Sequence, residues 1–283
     1  MNKIEISAPA KTNLHLQILH QREDGFHAID TRMVALSLAD RLILERNKPG
    51  SGAVLTCSEA GLDTGEGNLV MRALRVLEEH GGRSFDVSLH LQKEIPIAAG
   101  LGGGSSDAAA LMMGLNDLFA LNLDVPTLAS LAARIGSDVP FFVYSSPCDC
   151  TGRGEVVTPI EFEIRLPMLL VKPDFGVSAA WAYQNRKGSL ENPSVSYAPQ
   201  LCEWGAMAND LERPVYEKYV WLARLKMWLL DQAETHVAML SGSGSTMLVI
   251  LQEEAGGESL QARVQQHFGE NVWTYVGHTL ASK

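Results

Sequence analysis

The chain has 283 residues and a formal net charge of −10; 46% of its residues are hydrophobic and 20% are charged. These proportions are typical of a globular protein with a sizeable core, in one large domain or two ordinary ones. The acidic balance argues against nonspecific nucleic-acid binding and against attachment to anionic membranes. Neither a signal peptide nor an apolar run of ~18 residues is visible, so we expect a cytoplasmic protein without a membrane span.

The four cysteines predict no metal site and no disulfide framework. They stand at positions 57, 148, 150 and 202, and no pair has the C-x-x-C spacing. A free cysteine often behaves as a small apolar residue, so we expect buried or incidental thiols in a reducing compartment.

Alternating apolar residues predict two strands within residues 3–19, separated near Pro9, and this break would leave Lys11 facing a pocket. Residues 20–30 are predicted to be a polar connector, and residues 184–207 a loop. Periodicity and end signals predict further elements. The predicted strands are at 34–44, 53–57, 85–92, 141–144, 165–172, 246–251 and 272–276. The predicted helices are at 68–80, 107–120, 127–135, 217–231 and 258–268.

The order of these elements favours an α+β protein. Strands and helices mix without regular β-α-β alternation, which argues against a doubly wound parallel sheet. The composition shifts near residues 150–165, so we predict one domain over residues 1–155 and a second over 156–283.

The most informative stretch, residues 96–117, is a glycine-rich turn that enters a helix. Glycines let the backbone approach an anion, and the unpaired N–H groups and dipole of a helix N-terminus attract one. This pattern predicts a phosphate site. Ser105 or Ser106 is expected to cap the helix or contact a phosphate oxygen, and Asp107 is expected in the first turn.

The glycine pattern excludes two familiar nucleotide motifs. No Gly-Lys-Ser/Thr closes the loop, so it is not a Walker A motif. Ser105 stands where a dinucleotide fingerprint has its third glycine, and no acidic residue follows the next strand. The remaining alternative is a loop that simply packs a helix against a sheet.

Phosphoryl transfer further needs charge neutralisation, alignment and a proton acceptor. Lys11, flanked by small residues, and Asp138, between Gly136 and Pro140, are the best candidates. A carboxylate beside a lysine is kept ionised and can accept a hydroxyl proton. Taken singly, each residue is more often a solvated surface charge, and the sequence does not show that they meet.

Other side chains suit ligand recognition. Phe26 can stack on a base whose edge bonds to His27, although a connector with one buried ring is the alternative. Asn13 suits a ligand hydroxyl or amide, or simply a polar strand face. Asp107 and Glu155 are the best acidic positions for magnesium, but an aspartate at a helix start usually serves only the dipole.

The segment from Pro96 to Ala108, with the pattern P-x-x-x-G-L-G-G-G-S-S-x-A, resembles the phosphate loop of the GHMP kinases, which include galactokinase, homoserine kinase and mevalonate kinase. Five further segments together resemble one family within that group, the 4-diphosphocytidyl-2-C-methyl-D-erythritol kinases. They are APAKTNLHL at 8–16, DGFH at 24–27, GSDVP at 136–140, GRGE at 152–155 and SGSGS at 241–245.

This resemblance implies an N-terminal domain like domain 2 of ribosomal protein S5, a ferredoxin-like C-terminal domain and an active site between them. It implies Asp138 as catalytic base with Lys11 as its charged partner, and Mg²⁺ bound with ATP. The implied ATP contacts are Pro96, Gly100, Leu101, Gly102, Gly103, Gly104, Ser105 and Ser106, with Asn68 and Lys93 nearby. The implied contacts to the cytidine diphosphate methylerythritol substrate are Asn13, Phe26, His27, Tyr183, Ser241, Gly242 and Gly244.

The chain departs from the family pattern at two positions. Phe26 stands where tyrosine is common, and Ala179 stands where threonine is usual, so two hydroxyl contacts are missing. Two alternatives stay open: another GHMP small-molecule kinase of the homoserine or mevalonate type, or a non-catalytic relative that senses a nucleotide or sugar. We expect small-molecule partners only, and a monomer or weak homodimer.

Overall fold

The computed structural model describes residues 2–282. The strands are β1 (Lys3–Gln21), β2 (His27–Arg46), β3 (Ala53–Cys57), β4 (Val87–Gln92), β5 (Cys148–Thr151), β6 (Val156–Pro159), β7 (Pro167–Lys172), β8 (Gln200–Cys202), β9 (Gly205–Asn209), β10 (Thr235–Leu240), β11 (Met247–Leu251) and β12 (Trp273–His278). The helices are α1 (Leu69–Gly81), α2 (Gly103–Leu118), α3 (Val125–Ala132), α4 (Val139–Tyr144), α5 (Ala179–Gln184), α6 (Glu212–Lys218), α7 (Val220–Leu230) and α8 (Gly257–Phe268). Within residues 2–282, every helix is too short or too polar to cross a bilayer.

The first sheet has the strand order β3-β4-β2-β1-β9-β8, and β5 and β6 continue from β2. Its centre is the long antiparallel pair β1–β2. Helices α1 to α4 bury their apolar residues against this sheet in one core cluster. Helix α2 approaches closely at Gly114, where an added Cβ would lie 2.6 Å from Ile6 Cδ1.

The second sheet is antiparallel, in the order β10-β11-β7-β12. Its residues alternate between two cores, as the period of a strand requires. Leu169 and Val171 of β7 pack towards α7 and α8, whereas Met168 and Leu170 pack against Leu36 and other residues of β1 and β2. Burial on both faces explains why β7 is apolar at nearly every position, and it stacks the two sheets face to face.

The mixed sheets and helices confirm the α+β class, and the predicted helices at 68–80, 127–135 and 258–268 are found within a few residues of their expected bounds. The predicted break near Pro9 is wrong, because β1 continues through it. The pairing of β1 with β2 instead shifts register between Pro9 and Lys11, and again between Asn13 and His15. A bulge absorbs the proline, which has no N–H to donate, without ending the strand.

Three further expectations are wrong. Residues 141–144 are not a strand but part of α4, which begins beside Pro140, a residue suited to the first turn of a helix. The single helix expected at 217–231 is two, α6 and α7, which meet at Tyr219. The loop expected at 184–207 contains β8 and the start of β9. In runs this short, the spacing of apolar and polar residues does not distinguish a helix, a strand and a loop from one another.

The domain division between residues 155 and 156 stays a prediction. Strands β1 to β6 lie in the first sheet, and β7 and β10 to β12 form the second. However, the hairpin β8–β9, from the later half of the chain, joins the first sheet by pairing with β1.

Candidate active site

A cleft of about 970 Å³ is lined by residues from both halves of the chain. It collects side chains or backbone from β1, β2, the start of α2, the segment before α4, α5 and the loop between β10 and β11. Eleven of the residues predicted from the sequence line it: Lys11, Asn13, Phe26, His27, Gly100, Gly102, Ser105, Asp138, Tyr183, Gly242 and Gly244.

Lys11 and Asp138 meet in this cleft, with 3.4 Å between Lys11 Nζ and Asp138 Oδ2. The lysine side chain is 6% exposed and the aspartate side chain 35% exposed. Lys11 Nζ also donates to Asn13 Oδ1 at 3.0 Å, and Asn13 Nδ2 donates to Thr31 Oγ1 at 2.7 Å. The ammonium is therefore held by buried neighbours, while the carboxylate stays open to a ligand.

The local backbone explains how both residues reach the cleft. At the bulge in β1, the Lys11 N–H donates to Leu101 O in the glycine-rich loop, at 2.9 Å. Asp138 is the N-cap of α4, but its side chain makes no capping hydrogen bond. An N-cap aspartate commonly caps its own helix, whereas this carboxylate is turned towards Lys11.

The glycines of the loop are required by packing as well as by backbone conformation. Gly100 and Gly102 have φ of 77° and 70°, a region that favours glycine. An added Cβ at Gly102 would lie 2.8 Å from Lys11 Cγ, and one at Gly100 would lie 2.2 Å from Ser241 O. The loop thus touches both the buried lysine and the β10–β11 loop.

Helix α2 begins at Gly103, four residues before the predicted start, and its N-cap is Gly102 without a side-chain cap. The expected capping by Ser105 or Ser106 is therefore wrong, since both lie inside the first turn. Ser105 lines the cleft, while Ser106 is 1% exposed and its hydroxyl has no partner within residues 2–282. The N–H groups at this end keep no side-chain acceptor, which suits an anion.

Asp107 lies one turn into α2 and not in its first turn, which corrects the expectation. It is buried, and Lys93 Nζ donates to its Oδ2 at 2.9 Å and also to Asp40. Asp40 Oδ1 in turn accepts from Ile95 N at 2.8 Å. Burial raises the pKa of Asp107 to about 7, and the charge of Asp40 adds to this while Lys93 opposes it. Burial lowers the pKa of Lys93, but its two carboxylates outweigh burial and the net direction is upward.

The structure does not support the acidic positions expected for magnesium. Asp107 is 2% exposed and bound to Lys93. Glu155 Oε2 accepts from the backbone N–H of Arg153 at 2.6 Å, and Glu155 does not line the cleft.

Several residues predicted to contact a ligand do not line the cleft. Asn68 caps α1: its Oδ1 accepts from Val70 N at 2.9 Å and its Nδ2 donates to Asp63 O at 2.6 Å. The other predicted residues that do not line the cleft are Lys93, Pro96, Leu101, Gly103, Gly104, Ser106 and Ser241. Among them, Ser241 Oγ lies 3.1 Å from Thr12 Oγ1 and so ties the β10–β11 loop to β1.

Aromatic rings also line the cleft. The rings of His27 and Tyr183 are stacked, with centroids 6.0 Å apart and planes inclined by 23°. Burial lowers the pKa of His27, and the charges of Arg186 and Lys187 add to this. The imidazole is therefore neutral near pH 7, with one nitrogen that donates and one that accepts. Burial also raises the pKa of Tyr183 well above its ordinary range, so its phenol stays protonated.

Some cleft residues were not singled out by their sequence pattern. Arg153 is one of them, although it lies in the GRGE segment; its Cζ is 5.0 Å from the centroid of the Phe26 ring. The remainder include Gln21, Asp24, Ser137, Gln184, Lys187 and Ser243. Nothing local marks Lys187 or Gln184, because their position depends on how α5 docks against β2.

The cleft combines three cationic side chains with two carboxylates. Lys11 and Lys187 suit the phosphates of a ligand, and the partly exposed carboxylate of Asp138 can act as a base. Within residues 2–282, no three or more His, Cys, Asp or Glu side chains cluster as metal ligands. The arrangement can bind a polyphosphate and take up a proton beside it.

Comparison with known proteins gives the same picture. The family described as "GHMP kinases N terminal domain" matches residues 68–146. The chain is 35% identical to a 4-diphosphocytidyl-2-C-methyl-D-erythritol kinase of Methylacidiphilum infernorum, over 96% of this chain and 95% of that protein. It is 37% identical to the enzyme of the same name from Thermodesulfovibrio yellowstonii, over 96% of each.

Solved structures extend the comparison. A crystal structure of 4-(cytidine 5'-diphospho)-2C-methyl-D-erythritol kinase superposes with a TM-score of 0.78 at 28% identity, covering 98% of this chain and 99% of that one. Homoserine kinase from Cytophaga hutchinsonii superposes with a TM-score of 0.69 at 16% identity, covering 100% and 96% of the two chains. At that identity the second likeness shows a shared fold alone.

Proposed function

The chain belongs to the 4-diphosphocytidyl-2-C-methyl-D-erythritol kinase family of the GHMP kinases, and we infer that it is an ATP-dependent kinase of the non-mevalonate isoprenoid pathway. It transfers the γ-phosphoryl group of ATP to the 2-hydroxyl of 4-diphosphocytidyl-2-C-methyl-D-erythritol. The observation that best supports this function is the ion pair between Lys11 and Asp138 in the cleft that the glycine-rich start of α2 also lines.

Asp138 is the proposed general base. Its partly exposed carboxylate takes the proton of the 2-hydroxyl as that oxygen bonds to the γ-phosphorus and the bond to the bridging oxygen of ADP breaks. Lys11 holds the carboxylate in place and balances the charge that develops on the transferred group. Asn13 fixes the ammonium through its Oδ1 at 3.0 Å. The acceptor is a hindered tertiary hydroxyl, so alignment matters more than the strength of the base.

The start of α2 is the proposed site of the ATP phosphates. Gly102 leaves the first N–H groups of the helix without a side-chain acceptor, and Ser105 presents a hydroxyl to the cleft. Gly100, Gly103, Gly104 and Ser106 take part through the backbone or by shaping the loop. Asn68, Lys93, Pro96 and Leu101 support the loop from behind the cleft wall.

Magnesium is proposed to arrive with ATP. This ion is usually held by one or two side chains together with substrate phosphates. Ser105 presents its hydroxyl oxygen to the cleft at the start of α2, and the phosphates of ATP would supply further oxygen ligands, so the residues present fit such an ion. When bound, Mg²⁺ neutralises phosphate charge.

The aromatic side chains of the cleft are proposed to bind the cytidine moiety. Phe26 and Tyr183 offer rings for stacking, and neutral His27 offers a donor and an acceptor to the edge of the base. Gly242 and Gly244 shape the wall contributed by the β10–β11 loop, which Ser241 ties to β1. Ala179 also lines the cleft, without a hydroxyl. We further propose a cytoplasmic protein with small-molecule partners, as a monomer or weak homodimer.

ADP release from Mg·ATP by purified protein tests this function. The acceptors are 4-diphosphocytidyl-2-C-methyl-D-erythritol, homoserine, mevalonate and free methylerythritol phosphate, each offered separately. We expect turnover with the cytidyl compound alone. Turnover with another acceptor would overturn the proposed substrate, and silence with all four in protein that binds ATP would indicate a non-catalytic relative.

A further inference from the structure

Phe26 lies at the mouth of the cleft in a loop whose own bonds leave its ring unsupported. The backbone is fixed locally, because Arg22 N donates to Phe26 O at 2.8 Å and Phe26 N donates to Asp24 Oδ1 at 3.1 Å. Nevertheless Phe26 is 51% exposed. A ring with so little packing needs another group to hold its orientation before a ligand arrives.

The guanidinium of Arg153 lies over this ring, with Cζ 5.0 Å from the ring centroid. A cation over an aromatic face is attracted by the negative potential of that face. Both residues line the cleft. Because a ring has two faces, a cation on one face leaves the other available to a stacked base.

Arg153 is itself held by bonds outside the loop of Phe26. Its Nη2 donates to Ala133 O at 3.0 Å, and its backbone N donates to Glu155 Oε2 at 2.6 Å. The turn that carries it is joined to β2, because Ile29 N donates to Gly152 O at 2.8 Å. The guanidinium is therefore held by a bond that does not involve the loop of Phe26, so it can support the ring from outside that loop.

We propose that Arg153 is a positioning residue for nucleobase recognition, which holds the Phe26 ring as a stacking platform for the cytosine of the substrate. This role rests on the proposed function and adds a specificity-determining residue to it. The sequence separation of the two residues means that the platform is assembled only when the β5–β6 turn packs beside the start of β2.

A double-mutant cycle tests the proposal. It uses Arg153→Met, Phe26→Leu and the double variant, with KM for the cytidyl substrate as the main readout. Since an exposed cation–π pair is modest, we expect Arg153→Met to raise that KM by about 2- to 5-fold, with kcat and KM for ATP essentially unchanged. In the Phe26→Leu background the same change is expected to shift KM by less than about twofold.

Two further variants separate this role from folding and from charge. Arg134→Met removes an equally charged neighbour that pairs with Glu79 on the surface, and we expect it to leave KM unchanged. Arg153→Gln keeps a polar, uncharged side chain at this position, so it reports the loss of the cation if Arg153→Met unfolds. We expect Arg153→Gln to raise KM as Arg153→Met does.

Equal KM increases in both backgrounds would mean that Arg153 acts directly on the charges of the substrate, and would overturn the positioning role. An unchanged KM in the Arg153 variants, with active wild-type protein, would overturn it as well. Wild-type protein that turns over another acceptor, or none, would overturn the proposed function itself and with it this inference.

Discussion

At the scale of single residues, the site depends on pairs of charges whose surroundings differ. Lys11 and Asp138 share a partly open cleft, whereas Lys93, Asp40 and Asp107 are enclosed beneath the glycine-rich loop. In the open pair, the carboxylate of Asp138 is accessible to a ligand. The enclosed group holds the loop in place, and its two carboxylates share one ammonium.

Asp138→Asn tests the role of the open carboxylate. The amide keeps the shape of the side chain but cannot take the hydroxyl proton, so we expect turnover to fall by roughly 10²- to 10⁴-fold or more while substrate binding persists. Steady-state ADP release and a direct binding measurement check this. Asp117→Asn, the same change at an exposed position of α2, serves as control. Normal turnover by Asp138→Asn would refute the base assignment.

Asp107→Asn tests the enclosed group. The folded-state pKa of Asp107 is raised to about 7, above the ordinary value of 3.8, so the folded protein binds the proton more tightly. That stabilisation is fully present below about pH 4 and is lost as the pH rises through 7. The amide does not titrate. The unfolding free energy of the variant should therefore rise relative to wild type between pH 4 and 7, by at most about 1.4 kcal/mol per pH unit.

Denaturant unfolding of both proteins at several pH values measures this difference. Asp117→Asn, which lies outside the enclosed group, is the matched control. A difference between Asp107→Asn and wild type that stays constant over this range would show that Asp107 is ionised throughout.

At the scale of elements, the start of α2 and its glycine-rich loop contact β1, the strand that carries Lys11. Gly102, the N-cap of α2, has a positive φ and lies against the side chain of Lys11. Gly104, inside the helix, has an ordinary helical backbone and an open neighbourhood. A side chain is therefore excluded at Gly102 by backbone conformation and by packing, whereas neither excludes one at Gly104.

Gly102→Ala and Gly104→Ala form a matched pair that tests this difference. At Gly102 a Cβ would meet Lys11 Cγ at 2.8 Å in a backbone region unfavourable to alanine, so we expect a loss of about 1–3 kcal/mol of stability. At Gly104 the nearest atom, Leu69 Cδ1, is 3.5 Å away. Alanine there should be neutral or stabilise by up to about 1 kcal/mol. Thermal unfolding compares them, and equal losses would contradict the argument.

At the scale of the whole molecule, the candidate active site exists because two sheets and their loops meet. Asn209, at the end of β9 in the first sheet, donates to Leu240 O and Gly242 O at 2.8 and 2.7 Å and accepts from Leu211 N at 2.9 Å. This buried amide thus holds the loop of the second sheet against β1, where Lys11 lies.

Asn209→Ala is expected to lower both stability and turnover. Removing the amide leaves buried backbone groups unpaired, which costs about 2–4 kcal/mol. The released β10–β11 loop should also reduce kcat/KM. Thermal unfolding and ADP release measure the two effects, and Asn271→Ala, at an exposed position, is the control. Unchanged stability would show that the loop is held by other contacts.

Local physical chemistry determined much of this protein from its sequence. The helix predicted at 68–80 from its apolar period is found as α1, Asp124 caps α3, and alternation marks β4. The glycine-rich loop predicts an anion site because backbone freedom and free N–H groups are properties of a short segment. The patterns at residues 8–16 and 136–140 indicated Lys11 and Asp138 as candidate catalytic residues. Together with the other motifs, they also indicated the kinase family that the comparisons show.

The tertiary structure alone decided which of those groups meet. Lys93 donates to Asp40 and Asp107 beneath the loop and does not line the cleft, and Arg153 lies over the ring of Phe26. Short runs such as residues 139–144 became helix through packing against α2 and α3 and not through periodicity. These outcomes depend on contacts between segments far apart in the chain, and a local pattern of residue types carries no information about which distant segment will lie against it.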